Sequence, residues 1–112
     1  MLSDAERDAL EDIRDNIARA MRFVSGLDFD AFLADDKTFY AATRWLEIIS
    51  EASRRLPPAF KARFPEIPWK QIAGSGNIYR HASENVQERR IWATIHEALP
   101  ALLVVVDAEL GA

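Results

Sequence analysis

The sequence contains no cysteine, which excludes disulfide staples and thiolate metal sites. It has no uninterrupted apolar run near the ~20 residues that a membrane span requires; the longest, Leu102 to Val106, sits inside a helical pattern. Glycine is scarce, at four in 112 residues, and there is neither a Gly-rich phosphate loop nor a nucleophile elbow. No alternating strand pattern, internal repeat, linker or low-complexity segment is present. Positive charge is not in excess: the net charge of −4 does not advertise a nucleic-acid binder. The amino terminus, MLSDAERDAL, carries acidic residues where a signal peptide has a basic and then an apolar region. With the lack of cysteine, this predicts a cytoplasmic protein.

What is present is amphipathic helix. Ser3 and Glu6 form a capping box, and Leu10, Ile13, Ile17, Met21 and Val24 then recur at helical spacing, so the first helix is predicted from Asp4 to Val24. Gly26 ends it. Asp28 caps a short segment from Phe29 to Leu33, whose two phenylalanines should form a lid on the bundle. Asp35 or Asp36 opens a third helix with a broad apolar face, Phe39, Ala42, Trp45, Leu46, Ile49, Ala52 and Leu56. Pro57-Pro58 stops it. A turn or two is expected over 59–64, and Pro68 is suited to the first position of another helix. From Trp92 onward, Ile95, Leu99, Leu102, Val106 and Leu110 predict a long last helix, kinked by Pro100. The predicted fold class is all-α: one domain, a bundle of four longer helices with one or two short ones.

The stretch IPWKQIAGSGNIYRHASEN, from Ile67 to Asn85, is where chemistry concentrates. Two readings of its backbone stand side by side. Composition makes Gly74-Ser75-Gly76-Asn77 a loop, with Asn77 a good N-cap for a following helix. Alternatively one helix continues over 68–82, placing Asn77 and His81 on one face a turn apart. Glycine at 76 would in either case allow close approach of another backbone or a ligand. A histidine beside an arginine suits phosphate: imidazole exchanges a proton near neutral pH, and guanidinium clamps a phosphoryl group bidentately. Lys61, Arg63, Lys70, Arg80, Arg89 and Arg90 outnumber Glu66, Glu84 and Glu88 over 61–92, so this part is locally basic.

Other constellations point to structure. His96 has no partner at metal-ligand spacing and reads as a structural or solvated histidine. Glu47 and Glu51 form an i,i+4 pair, read as a solvated face or as partners for Arg44, Arg54 or Arg55. Trp45, Trp69 and Trp92 read as core anchors rather than base-stacking platforms.

RWLEIISEASRRLP (Arg44 to Pro57), PEIPWKQIAGSGNIYRHASENV (Pro65 to Val86) and IWATIHEALPAL resemble the HepT-like branch of the HEPN superfamily, in order and over nearly the whole chain. The resemblance implies a helical bundle pairing as a symmetric homodimer, and a toxin of a HEPN/MNT toxin–antitoxin pair. Such a toxin acts as a ribonuclease without metal or other cofactor, and its antitoxin is a minimal (MNT-type) nucleotidyltransferase. The family motif is arginine, a polar residue, three variable residues and histidine, with a tyrosine two residues further on. Asn77 and His81 match it; Gly76 stands at the arginine position and Ser83 at the tyrosine position. The tyrosine is the residue modified with AMP in some relatives, so that regulation does not carry over to this chain. The resemblance thus implies His81 as proton carrier and Asn77 as its orienting neighbour; for the missing arginine, helix spacing offers Arg80, one turn beyond 76, as replacement phosphate clamp, and a symmetric dimer offers a cationic group from the second copy. It leaves open a second outcome, a dimer that has lost catalysis and acts by binding a nucleotidyltransferase or RNA.

Overall fold

A computed structural model describes residues 1–77 and 86–111. The described elements are all helical, as the sequence pattern predicts: α1 (Asp4–Val24), α2 (Phe29–Leu33), α3 (Asp36–Arg55), α4 (Pro58–Ala62), α5 (Trp69–Gly74), α6 (Val86–Ala93), a π-helical turn (Thr94–Ala98) and α7 (Leu99–Glu109).

Local chemistry sets the helix starts. The Ser3 amide donates to Glu6 Oε1 at 2.9 Å and the Glu6 amide to Ser3 Oγ at 3.0 Å, completing the capping box. Asp28 accepts from the Ala31 amide at 2.8 Å. Asp35 accepts from the Thr38 amide at 3.1 Å and the Thr38 hydroxyl at 2.7 Å. Gly26, at φ +80°, provides the left-handed residue that turns the chain out of α1.

Three long rods make the core. α1 contributes Leu10, Ile13 and Ile17; α3 contributes Leu46, Ile49 and Ala52; the last rod contributes Ile91, Ile95, Leu99 and Leu102, all buried. The α1–α3 packing is the most extensive, α7 lies against α1, and α5 and α6 lie against α3. The predicted lid is present: Phe29 and Phe32 pack on Trp92 with ring centroids 5.8 and 5.3 Å away. Trp45 packs against Phe23 at 4.9 Å. The Trp69 indole N–H donates to the carbonyls of Lys61 and Phe64 at 3.1 and 3.0 Å, tying α5 to the chain before it. The three tryptophans are thus anchors packed against the core.

The effect of Pro100 on the last rod is a change of helix type. Proline has no N–H and its ring crowds the carbonyl four residues back. The five residues Thr94–Ala98 accordingly widen into a π turn, in which the Leu99 amide bonds to the Thr94 carbonyl. His96, within it, directs Nδ1 to the Trp92 carbonyl at 2.9 Å and lays its ring 4.0 Å from the Trp92 ring, a structural role. The rod Val86–Glu109 is by length and composition apolar enough to cross a membrane. Its apolar residues Ile91, Ile95, Leu99, Leu102 and Val106 are buried within the bundle.

Ile49 is fully buried between the rods, so Ile49→Ala should cost about 2–5 kcal/mol in a urea titration. A second expectation concerns acid. The Thr38 hydroxyl, then the Thr38 amide, hold the Asp35 carboxyl below its ordinary 3.8. A depressed folded-state value gives stability that is present above the unfolded value and lost as pH falls through the folded one. The melting-temperature gap between the protein and Asp35→Ala should therefore be full at pH 7 and close below about pH 3.8. A constant gap would place the Asp35 contribution elsewhere.

Candidate functional site

α5 ends where the glycines begin. The Ser75 amide and hydroxyl both donate to the Ile72 carbonyl, at 3.1 and 2.7 Å, and the Asn77 amide donates to the Gly74 carbonyl at 3.1 Å. Ser75 and Gly76 form a turn and Asn77 is not helical. The loop reading therefore holds for Ser75 to Asn77, whereas Gly74 is the last residue of α5, and the single helix over 68–82 is broken at Ser75. The physical reason is the weak helix propensity of two glycines within three residues, together with the serine and amide bonds that close the turn. His81, Arg80 and Ser83, and any helix that Asn77 caps, lie outside the described residues.

Gly76 brings this turn against α3. A Cβ at position 76 would lie 2.9 Å from Ser50 Cβ and Oγ and 3.3 Å from the Glu47 Cα. The close backbone approach expected of this glycine thus occurs, and its neighbour is a helix. Ser50, fully buried, donates its hydroxyl to the Ala73 carbonyl at 2.5 Å. Arg54 Nη1 donates to the same carbonyl and to Ser50 Oγ, both at 2.7 Å. Ala73 belongs to the last turn of α5, whose carbonyls have no partner within the helix. A hydroxyl and a guanidinium from α3 supply one.

Beside this contact a cleft of about 250 Å³ is lined by Arg44, Glu47, Glu51, Arg54, Gly76 and Asn77. Asn77, exposed, is the motif residue that the structure places in it. Glu51 is turned to Arg55 at 3.2 Å, and Arg55 also reaches Asp12 on α1 at 2.7 Å. That Asp12 bond, ahead of the charge on Glu51, raises the Arg55 pKa above its ordinary value. For Glu51 the ion-pair reading therefore holds. Among the described residues no group of three His, Asp or Glu side chains is placed to hold a metal ion.

Ser50 and Arg54 were legible as members of α3 but not as partners of the turn. The available signal was their i,i+4 spacing, with a small residue at 50 opposite a glycine-containing segment. Nothing local indicates a bond to a carbonyl nineteen or more residues away.

Gly76→Ala should destabilise the protein by about 1–3 kcal/mol, because the new methyl has to displace α3 or the turn. Gly74→Ala, with open space at its Cβ, should be neutral or stabilising by comparison. Equal melting temperatures for the two variants would contradict the close approach.

Comparison with known proteins gives a consistent result. The Ribonuclease HepT-like family model matches residues 13–109. A probable ribonuclease HepT of Thermococcus cleftensis is 41% identical over 98 residues, covering 88% of this chain and 89% of that protein. A protein of Caldanaerobacter subterraneus named as an RNase is 36% identical over 96 residues, 86% of each chain. One of Methanocaldococcus jannaschii, also named as an RNase, is 32% identical over 93 residues, 83% of this chain and 85% of its own. No solved structure matches. With the match running from within α1 to the end of α7, the chain belongs to the HepT-like ribonuclease family.

Proposed function

We propose that the protein is a HepT-like toxin: a ribonuclease that cleaves RNA without a metal ion and is paired with an MNT-type nucleotidyltransferase antitoxin. In this reading it works as a cytoplasmic homodimer. The ribose 2′-oxygen attacks the adjacent phosphorus, a new O–P bond forms, and the bond to the 5′-oxygen breaks. His81 relays the proton leaving the 2′-hydroxyl to the departing 5′-oxygen, while Asn77 orients it. Arg80 is the motif-adjacent cation assigned to the phosphate. The observation that carries this reading is the match of residues 13–109 to the ribonuclease family, with Asn77 lining a cleft that Arg44 and Arg54 also line.

A second reading has its own observation. Gly76 stands at the motif arginine position and is packed against Ser50 and Glu47 of α3, where a Cβ would lie 2.9 Å from the Ser50 side chain. Loss of one preorganised charge stabiliser costs ~10²–10³ in rate. In this reading the dimer has reduced or no catalysis and acts by binding the nucleotidyltransferase or RNA.

Cleavage of a single-stranded RNA in the presence of EDTA separates the two. The toxin reading expects cleavage by the parent, none by His81→Ala, and a steep fall in Arg80→Ala. Cleavage retained in His81→Ala would rule it out. The binding reading expects no cleavage by the parent. Gly76→Arg is an informative variant here only if its melting temperature shows that α3 and the turn have accommodated the new side chain.

A further inference from the structure

The ribonuclease reading assigns Arg80 to the phosphate, but the motif's own arginine position is Gly76, and a second cation beside it would serve the same charge. We infer that Arg54 of α3, with Arg44 beside it, is a phosphate-binding residue of this chain, holding a phosphodiester of single-stranded RNA in the cleft at Asn77. The inference deepens the proposed function and rests on it.

Three observations carry it. The first is position: Arg54 and Arg44 of the neighbouring helix line the same cleft as Gly76 and Asn77. The second is fixation. Nη1 is held by the Ala73 carbonyl and the Ser50 hydroxyl, both at 2.7 Å. That orients the guanidinium plane before any ligand arrives, which is the property that makes a charge effective in stabilising a developing one. A guanidinium has five N–H donors. The Nε and Nη2 edge makes no hydrogen bond to the described residues, leaving a fork suited to bidentate phosphate recognition.

The third is charge. Arg14, Arg55 and Arg63 are each paired with a carboxylate: Asp15, Asp12 with Glu51, and Glu109 respectively. Both acceptors on Arg54 are neutral oxygens, so its charge is not neutralised by them. Two carboxylates also line the cleft. Glu51 is occupied by Arg55, and Glu47 opposes an incoming anion. A cleft of about 250 Å³ has room for a phosphodiester group.

The test is the salt dependence of RNA binding by the full chain, measured by anisotropy with a labelled single-stranded oligonucleotide. Arg54→Gln loses the charge while keeping a polar amide of shorter reach, and its melting temperature reports whether the turn stays in place. The substitution should weaken binding roughly tenfold and reduce the slope of log affinity against log salt by ~0.7. Arg54→Lys should keep the parent's slope while losing affinity, and Glu47→Gln should gain affinity. Ser50→Ala removes a bond to the same carbonyl without altering charge, and should leave the slope unchanged. A parental slope in Arg54→Gln would overturn the inference, as would a parent with no salt-dependent RNA affinity. The cleavage assay run in parallel separates the two failures. Loss of cleavage in His81→Ala with an unchanged Arg54→Gln slope removes Arg54 and keeps the ribonuclease. A reduced slope with no cleavage by the parent keeps Arg54 as an RNA contact and removes the nuclease.

Discussion

One carbonyl oxygen organises the contact between α5 and α3 beside the candidate site. Ala73 closes α5, and its carbonyl is taken by a hydroxyl and a guanidinium that both come from α3. The shared bond fixes how far the turn at Ser75 and Gly76 descends onto α3. The absence of a side chain at Gly76 then lets the two backbones meet. The cleft beside Asn77 is what this contact leaves open. A six-residue helix is too short to persist alone; this bond holds its end to α3, as the buried Ile72 and the Trp69 indole hold the rest of it.

The core and the cleft use opposite sides of α3. Leu46, Ile49 and Ala52 face the core and are fully buried. Arg44, Glu47, Glu51 and Arg54 follow one another at intervals of three and four, which places them in one stripe along the outer face. Ser50 lies between the two sides: buried like a core residue, bonded like a site residue. The rods therefore supply stability through apolar burial, while the charged stripe takes little part in it. Surface ion pairs such as Arg55 with Glu51 are worth little in stability.

How much of this was legible in the sequence follows from the range of each interaction. The starts of α1, α2 and α3 were readable because Ser3, Asp28 and Asp35 bond three residues ahead. The core was readable from periodicity, since Leu10, Ile13 and Ile17 share a face by geometry alone. Pro100 announced a disturbance, read from the sequence as a kink, and the structure has a π turn over Thr94–Ala98 before it. The glycine-rich turn was readable only as one of two alternatives, because propensity favoured a loop and family motif spacing suited a helix. The site's main contact was not readable at all. Ser50 and Arg54 lie 23 and 19 residues from Ala73, and their pairing depends on how two helices pack.

The central claim is that RNA phosphate is held in the cleft between α3 and the Gly76 turn. Its most direct test is arginine side-chain NMR during titration with an RNA oligonucleotide made uncleavable by 2′-deoxy substitution. The account predicts that the Arg54 Nε–H resonance shifts and becomes protected from exchange as RNA is added, with the Asn77 side-chain amide responding at the same concentrations. Saturation with RNA while both resonances stay in place would contradict it.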